Sequence, residues 1–198
     1  MLKMKKIISL LKIGEVDQSL IDDLKSKIEL TFREFNIAVE RPNNTVPLNN
    51  SEYNIHRRQY DASKLLYRIV NYTKNNPCFR ILGIVNNDIF TSSLNFVFGL
   101  AMSPQRHAPG HRLVALISLT RLNESFFRRA DNNELFEVRV LKEAIHELGH
   151  TFNLGHCNNY CIMRFSNSLS DTDEKPPNFC DSCLEQLKNF FANLNNFF

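Results

Sequence analysis

Residues 146–183 carry seven side chains of the kinds that bind zinc, in two separable groups. Three histidines form the first group, and four cysteines in two close pairs form the second: His146, His150 and His156, then Cys157, Cys161, Cys180 and Cys183. Ligands of one ion must converge on it, and binding of the ion is coupled to folding. These two groups therefore constrain the path of the chain more strongly than any other feature of the sequence.

The first two histidines fall in the pentapeptide His146-Glu147-x-x-His150, on a helix predicted over residues 134–152. Residues four apart lie one turn above each other, with Cβ atoms about 6 Å apart, so both imidazoles can reach one ion. Glu147 lies one residue round the helix, where it can approach a water on the metal without binding the metal. Alone the pentapeptide is a weak signal, because it also occurs by chance in surface helices with two solvated histidines.

The third histidine reaches the same ion only if the helix ends and the chain turns after Phe152. The usual extended motif has glycine at the position of Asn153, because a positive φ is required there, and asparagine is the next-best residue for that conformation. We predict that Asn153 has a positive φ and that His156 joins His146 and His150. Three protein ligands with an open fourth position are typical of catalytic zinc.

The four cysteines predict a closed tetrathiolate zinc site, made by the pairs Cys157–Cys161 and Cys180–Cys183. The alternatives are two local disulfide loops or loosely placed buried thiols, and a cytosolic location disfavours the disulfides. Because His156 and Cys157 are neighbours that should point in opposite directions, we expect the two metals to lie back to back.

Composition is that of an ordinary globular protein. The chain has 198 residues, 43% of them hydrophobic, and its net charge of +3 is too small and too evenly spread to indicate nucleic-acid binding. The apolar run Ile7–Leu11 is too short for a secretion signal or a membrane span. We expect a monomeric cytoplasmic protein with no nucleic-acid or membrane partner.

Apolar periodicity predicts alternating strands and helices. Strands are expected at 6–11, 37–39, 79–85, 94–102 and 113–119, and helices at 17–35, 60–75, 134–152 and from 181 onwards. A strand–helix–strand start predicts parallel pairing of the first two strands. Segments 41–55 and 103–111 are expected to be loops.

In two of these helices the apolar residues recur at roughly helical spacing, which predicts their buried sides. They are Leu20, Leu24, Ile28, Leu30, Phe32 and Phe35 in the first helix, and Leu135, Val138, Leu141 and Ile145 in the helix that carries the histidines.

The sequence resembles the archaemetzincins, a family in the metzincin clan of zinc peptidases. The resemblance covers about Arg80 to Cys183, in the phrases ILGIVNNDIF, LNFVFGLA, ALISLTRL, VLKEAIHELGHTFNLGHC and CIMRFSNSLSDTDEKPPNFCDSC. Met163, seven residues after His156, matches the methionine turn that lies beneath the zinc of metzincins.

The resemblance implies an α+β, zincin-like fold. Residues 1–155 would form an upper lobe, with a twisted, mixed and mostly parallel sheet, one antiparallel edge strand and the active-site helix. Residues 156–198 would form a small lower lobe with the cysteine-bound zinc and a C-terminal helix. By the same resemblance the three histidines bind catalytic zinc, Glu147 is the base, the four cysteines bind structural zinc and Met163 supports the floor.

These features predict a zinc metallopeptidase with two Zn²⁺ ions, one catalytic and one structural, that acts on a peptide or protein. Residues 95–101 are the candidate edge strand for an extended substrate, and Tyr160 is expected to pack. An amidase acting on a small molecule is an alternative, because the same site hydrolyses any amide. A non-catalytic zinc-binding protein is another, although a purely structural site has no use for Glu147.

Overall fold

The structure is a computed structural model that describes residues 6–76, 78–102 and 113–196. Its strands are β1 (Lys6–Ile13), β2 (Ile37–Glu40), β3 (Tyr53–Asn54), β4 (Gln59–Asp61), β5 (Arg80–Val85), β6 (Ile89–Phe90), β7 (Gly99–Ala101) and β8 (Val114–Ser118). Its helices are α1 (Gln18–Thr31), α2 (Ala62–Thr73), α3 (Asn133–Thr151), α4 (Leu169–Glu174) and α5 (Asp181–Asn196). None of the helices in these ranges is long and apolar enough to cross a membrane.

The main sheet has five strands in the order β2-β1-β5-β8-β7. Its first four strands are parallel, and β7 pairs with β8 in the antiparallel direction at one edge. The predicted parallel pairing of β1 with β2 and the single antiparallel edge strand are therefore confirmed. A second, three-stranded sheet in the order β3-β4-β6 was not predicted.

Alternation along the central strands builds a hydrophobic core on each face of the sheet. In β1, Ile8 and Leu10 belong to one core, whereas Leu11 and Ile13 belong to the other. Helices α1 and α3 bury their apolar residues in the first core, and α2 buries Leu65 and Ile69 in the second. Each such fully buried aliphatic side chain stabilises the fold by about 1.5–3 kcal/mol. Helix α3, which carries His146 and His150, is thus packed against the main sheet.

Local capping shifts the predicted helix boundaries. Helix α2 begins at Ala62 rather than at 60, because Asp61 accepts hydrogen bonds from the backbone N–H groups of Ser63 and Lys64. Helix α1 ends at Thr31, and the chain continues as a 3₁₀ turn, Arg33–Phe35. Leu30, which was expected on the buried side, is 68% exposed.

The strand predictions were less accurate where apolar residues do not alternate. Only Gly99–Ala101 of the predicted strand 94–102 is a strand, and Leu94 at its start is 41% exposed. The predicted loop 41–55 contains strand β3. The predicted loop 103–111 lies outside the described residues.

The apolar residues named for α3 are borne out in part. Ile145 is fully buried and Leu141 packs against the core, but Val138 is 41% exposed, whereas Val140, Ala144 and Leu148 are fully buried. The helix is buried almost all round from Arg139 to Gly149, including several charged residues, so its apolar period does not mark one side.

These charged residues of α3 are paired with the chain around α4. Arg139 donates two hydrogen bonds of 2.6 Å to the Asp173 carboxylate. Lys175, which is fully buried, places Nζ 2.8 Å from Oε1 of Glu143. That contact lacks hydrogen-bond geometry, so the attraction is coulombic. Buried charges are costly unless paired, and these pairs therefore fix the segment after residue 156 against α3.

We expect Lys175→Met to destabilise the fold by about 3–5 kcal/mol, because it removes the cation paired with the buried Glu143 carboxylate and leaves it the Thr172 hydroxyl as a hydrogen-bond donor. Chemical denaturation at a fixed zinc concentration measures the loss. The double variant Lys175→Met/Glu143→Gln, which removes both charges, should recover most of the stability. A double variant no more stable than the single one would contradict a coulombic role for the pair.

Candidate metal centres

Helix α3 brings the first two histidines together one turn apart. Asn132 caps its start by accepting a hydrogen bond from the backbone N–H of Leu135. Near its end, Nε2 of His146 and Nε2 of His150 lie 3.1 Å apart. The i, i+4 spacing therefore produces the convergence that the sequence predicted.

The chain reverses directly after α3. Asn153 has a φ of 72°, which confirms the predicted left-handed turn. The backbone N–H of Leu154 donates to the carbonyl of Gly149 at 3.1 Å, which satisfies one of the free carbonyls at the helix end. The Arg80 guanidinium donates to the Thr151 carbonyl at 3.2 and 3.1 Å. Backbone conformation and a buried cation thus fix the helix end together.

The turn places the third imidazole beside the first two. The ring centre of His156 lies 5.4 Å from that of His146 and 4.9 Å from that of His150. The ring also packs edge-on against Phe165, with 5.0 Å between centroids. Phe165 therefore flanks the third histidine on the cleft side.

Backbone carbonyls orient two of the three imidazoles. Nδ1 of His146 lies 2.9 Å from the Ile162 carbonyl oxygen, and Nδ1 of His150 lies 2.8 Å from that of Leu154. A carbonyl oxygen only accepts, so both Nδ1 atoms carry the hydrogen. The lone pairs of both Nε2 atoms are then free to bind a metal, which is the usual arrangement around zinc-bound histidine.

The three nitrogens fit a zinc ion. One nitrogen from each imidazole lies within 4.8 Å of the other two. Tetrahedral zinc with Zn–N bonds of 2.0–2.1 Å requires nitrogens about 3.3 Å apart. The observed 3.1 Å between His146 and His150 is close to this separation.

Burial keeps the three histidines neutral, as ligands must be. Burial lowers the pKa of His146 well below its usual value, and the charge of Lys175 lowers it further. The pKa values of His150 and His156 are also lowered, in both cases mainly by burial. The neutral imidazoles can donate a nitrogen lone pair without first losing a proton.

Glu147 lies beside the three histidines without joining them. Its side chain is 6% exposed and lines the same cleft, which has a volume of about 560 Å³. Burial raises the pKa of Glu147 well above its usual value, the nearby Glu143 carboxylate adds to this, and Lys175 opposes it. A carboxyl group with a raised pKa at the edge of a cleft is suited to accepting and returning a proton.

Met163 packs beneath the histidines. It is fully buried, and a Cβ atom at Gly149 would lie 2.5 Å from its sulfur. The absence of a side chain at Gly149 therefore lets the Met163 sulfur contact the active-site helix between the first two histidines. The residue before it, Ile162, supplies the carbonyl that orients His146.

The four cysteines form the second cluster, with Sγ atoms within 4.8 Å of one another. Sγ of Cys157 and Sγ of Cys180 lie 3.8 Å apart, which is too long for a disulfide, and all four cysteines are free. Tetrahedral zinc with Zn–S bonds of 2.3 Å requires sulfurs about 3.8 Å apart. The backbone N–H groups of Cys180 and Met163 point at Sγ of Cys161 at 3.3 and 3.5 Å. The cluster therefore has the spacing of a tetrathiolate site.

The thiols of this cluster differ in their affinity for protons. Burial raises the pKa of Cys161 and of Cys183. Burial also opposes ionisation of Cys180, but hydrogen bonds from the Cys183 backbone and the Asn159 side chain outweigh it and lower the pKa of Cys180 to about 6. All four sulfurs can ionise together only with a cation among them, which is what a zinc ion supplies.

Sequence reasoning missed the charged residues that support the site. Glu143 lies one helical turn before Glu147, and this spacing could have indicated that Glu143 is close to the site. Nothing in the sequence indicates that Lys175 pairs with Glu143. Tyr160, which was expected to pack, is 72% exposed.

The chain is similar to known peptidases over most of its length. The family model described as Peptidase family M54 matches residues 4–189. The archaemetzincin of Pyrococcus furiosus is 37% identical over 188 residues, which cover 93% of this chain and 94% of that protein. The archaemetzincin of Nanoarchaeum equitans is 39% identical over 168 residues, 84% of each chain.

Solved structures agree with the sequence relatives. The archaemetzincin of Methanopyrus kandleri has a TM-score of 0.79 and 32% identity, and the match covers 97% of this chain and 99% of that one. The archaemetzincin of Archaeoglobus fulgidus, solved in complex with malonate, has a TM-score of 0.73 and 33% identity, with coverage of 91% and 99%. With its zincin-like α+β fold and its two zinc-binding groups, the chain belongs to peptidase family M54, the archaemetzincins, and is a zinc metallopeptidase.

Proposed function

We propose that peptide hydrolysis takes place at the three-histidine cluster, with His146, His150 and His156 as ligands of the catalytic zinc and Glu147 as the general base. The four cysteines hold the second zinc, which has a structural role. The observation that carries this proposal is the convergence of three neutral imidazoles at one end of a cleft that also receives the Glu147 carboxylate.

Bound zinc supplies a Lewis acid that polarises the peptide carbonyl and acidifies the attacking water. Glu147 accepts a proton from that water and then donates it to the nitrogen of the leaving amine. The carboxylate is suited to both steps because it lies at the cleft and is not among the ligands. His146 and His150 keep their nitrogens in place through their hydrogen bonds to backbone carbonyls.

The cysteine site is proposed to brace the third histidine. His156 and Cys157 are consecutive, yet they belong to different clusters. The backbone N–H of Cys157 also donates to the Met163 carbonyl at 3.0 Å. A closed zinc site that fixes Cys157 therefore limits how far His156 can move from the other two histidines.

An extended polypeptide fits the cleft as a substrate. Strand β7 is the edge of the main sheet in the described part of the chain, and its residues Gly99, Leu100 and Ala101 line the cleft. Strand addition would let a substrate pair with this edge while its carbonyl faces the histidines. A small amide would use the histidines but would leave this edge unused, and Glu147 would have no function in a protein that only binds zinc.

We expect Glu147→Gln to lower peptide hydrolysis by about 10²–10⁴-fold, because an amide of the same shape cannot accept the proton. Zinc content should not change, since Glu147 is not a ligand. Mass-spectrometric profiling of a peptide library with the parent and the variant measures the loss. Cleavage by the variant at the parent rate would contradict the proposed role.

Elemental analysis should find two zinc ions per chain. Cys180→Ser/Cys183→Ser should lose one of them and unfold at lower temperature, because structural zinc binding is coupled to folding. His150→Ala should lose the other ion with a smaller effect on stability. A parent protein with one zinc and four thiols that react freely with a thiol reagent would contradict the cysteine site.

Asn153→Val should weaken zinc binding at the histidines by about 10–100-fold. The left-handed conformation costs of order 1–3 kcal/mol in a β-branched residue such as valine. Asn153→Gly is the matched control and should bind zinc as the parent does. Competition with a chromophoric chelator measures both affinities. Equal zinc affinity in the valine variant would show that the left-handed turn does not position His156.

A further inference from the structure

Gly99, the first residue of β7, lies directly against the side chain of Glu147. A Cβ atom at this position would be 2.5 Å from Cγ, 2.6 Å from Oε1 and 2.7 Å from Cδ of Glu147. Real Cβ atoms essentially never come closer than 3.0 Å to a heavy atom outside their own residue and its two chain neighbours. Any other residue at position 99 would therefore displace the Glu147 side chain.

The backbone itself does not require glycine here. Gly99 pairs in regular antiparallel register with Ile117, and it lacks the positive φ that Gly14 has, at 69°. Glycine weakens a strand relative to alanine, and within a strand it often marks a close approach by another group. The neighbouring glutamate, and not the strand, therefore accounts for glycine at this position.

Hydrogen bonds from the described residues do not hold the Glu147 carboxylate in place. Among the described residues, no side-chain or backbone group donates a hydrogen bond to either of its oxygens. Helix α3 fixes its Cα and Cβ atoms, and the packing around the remaining atoms sets where the carboxylate lies. The surface of β7 at Gly99 is the wall against which Cγ, Cδ and Oε1 rest.

We propose that Gly99 is a positioning residue for the general base: by leaving the volume of a side chain empty, it lets the Glu147 carboxylate lie between the edge strand and the three histidines. This inference rests on the proposed role of Glu147. Strand β7, which is proposed to bind the substrate, then also sets the position of the general base. One strand thus aligns both the substrate and Glu147.

The first test is Gly99→Ala in the zinc-loaded protein. To reach an ordinary contact distance from the new Cβ atom, the Glu147 side chain must move by about 1 Å. A misplacement of that size can lower kcat by about 100-fold. Zinc content should remain that of the parent, because no ligand is touched. A kcat equal to that of the parent would overturn the inference, even where Glu147→Gln is inactive.

The second test is a double-mutant cycle on thermal stability, which needs no activity. Gly99→Ala should affect the Tm less favourably in the parent, where the Glu147 side chain must move, than in a protein without that side chain. In a Glu147→Ala background, which lacks Cγ, Cδ and Oε1, the same change should leave the Tm unchanged or raise it, because the clash is gone and alanine suits a strand better than glycine. If Gly99→Ala fails to fold in the parent but folds in the Glu147→Ala background, that result also shows that the clash is with the Glu147 side chain.

Each outcome separates this inference from the function on which it rests. Equal changes of Tm in both backgrounds, including no change, or unfolding in both, would show that the effect of position 99 does not depend on Glu147, and would overturn the inference alone. Hydrolysis by Glu147→Gln at the parent rate would overturn the proposed function, whatever the cycle shows. A cycle with coupling, together with loss of kcat in both Gly99→Ala and Glu147→Gln, supports both.

Discussion

The left-handed turn at Asn153 is the constraint on which the rest of the site depends. A helix can present two imidazoles to one ion, as α3 does with His146 and His150, but a third from the same helix would point elsewhere. The chain must therefore reverse within a few residues of the helix end, and a φ of 72° at Asn153 achieves this. Everything that follows, from the third histidine to the cysteine cluster, takes its position from that reversal.

Much of the remaining structure holds this turn in place from outside. Arg80 donates two hydrogen bonds to the Thr151 carbonyl at the end of α3, and it lies over the Phe79 ring, with 4.2 Å between the guanidinium carbon and the ring centre. On the other side, buried ion pairs tie the chain around α4 to the same helix. Buried charges are weak evidence for stability, but they are specific about geometry when every partner is present. Here they fix the segment that carries Met163 and the cysteines.

The metal ligands could be predicted from the sequence because their chemistry and spacing are local. The i, i+4 pair, the need for a turn and the two cysteine pairs each follow from the residue types and from helix geometry. The parallel start of the sheet was also predictable, since Ile7–Leu11 and Ile37–Val39 flank a helical pattern. The resemblance to archaemetzincins supplied what spacing alone does not, namely the lobes and the edge strand.

The supporting residues could not be predicted, because their partners are distant in the chain. Nothing in the sequence joins Lys175 to Glu143, and the buried charges of α3 hid the phase of its apolar side, so Val138 was placed wrongly. The role of Gly99 also depends on a distant partner, because only the packing of β7 against Glu147 reveals it.

Two zinc ions are proposed to lie back to back, one bound by the three histidines and the other by the four cysteines. Anomalous diffraction at the zinc edge tests this arrangement most directly. We expect one peak about 2.0–2.1 Å from one nitrogen of each histidine and another about 2.3 Å from the four sulfurs. A zinc bound by Glu147, or by two histidines only, would contradict the arrangement.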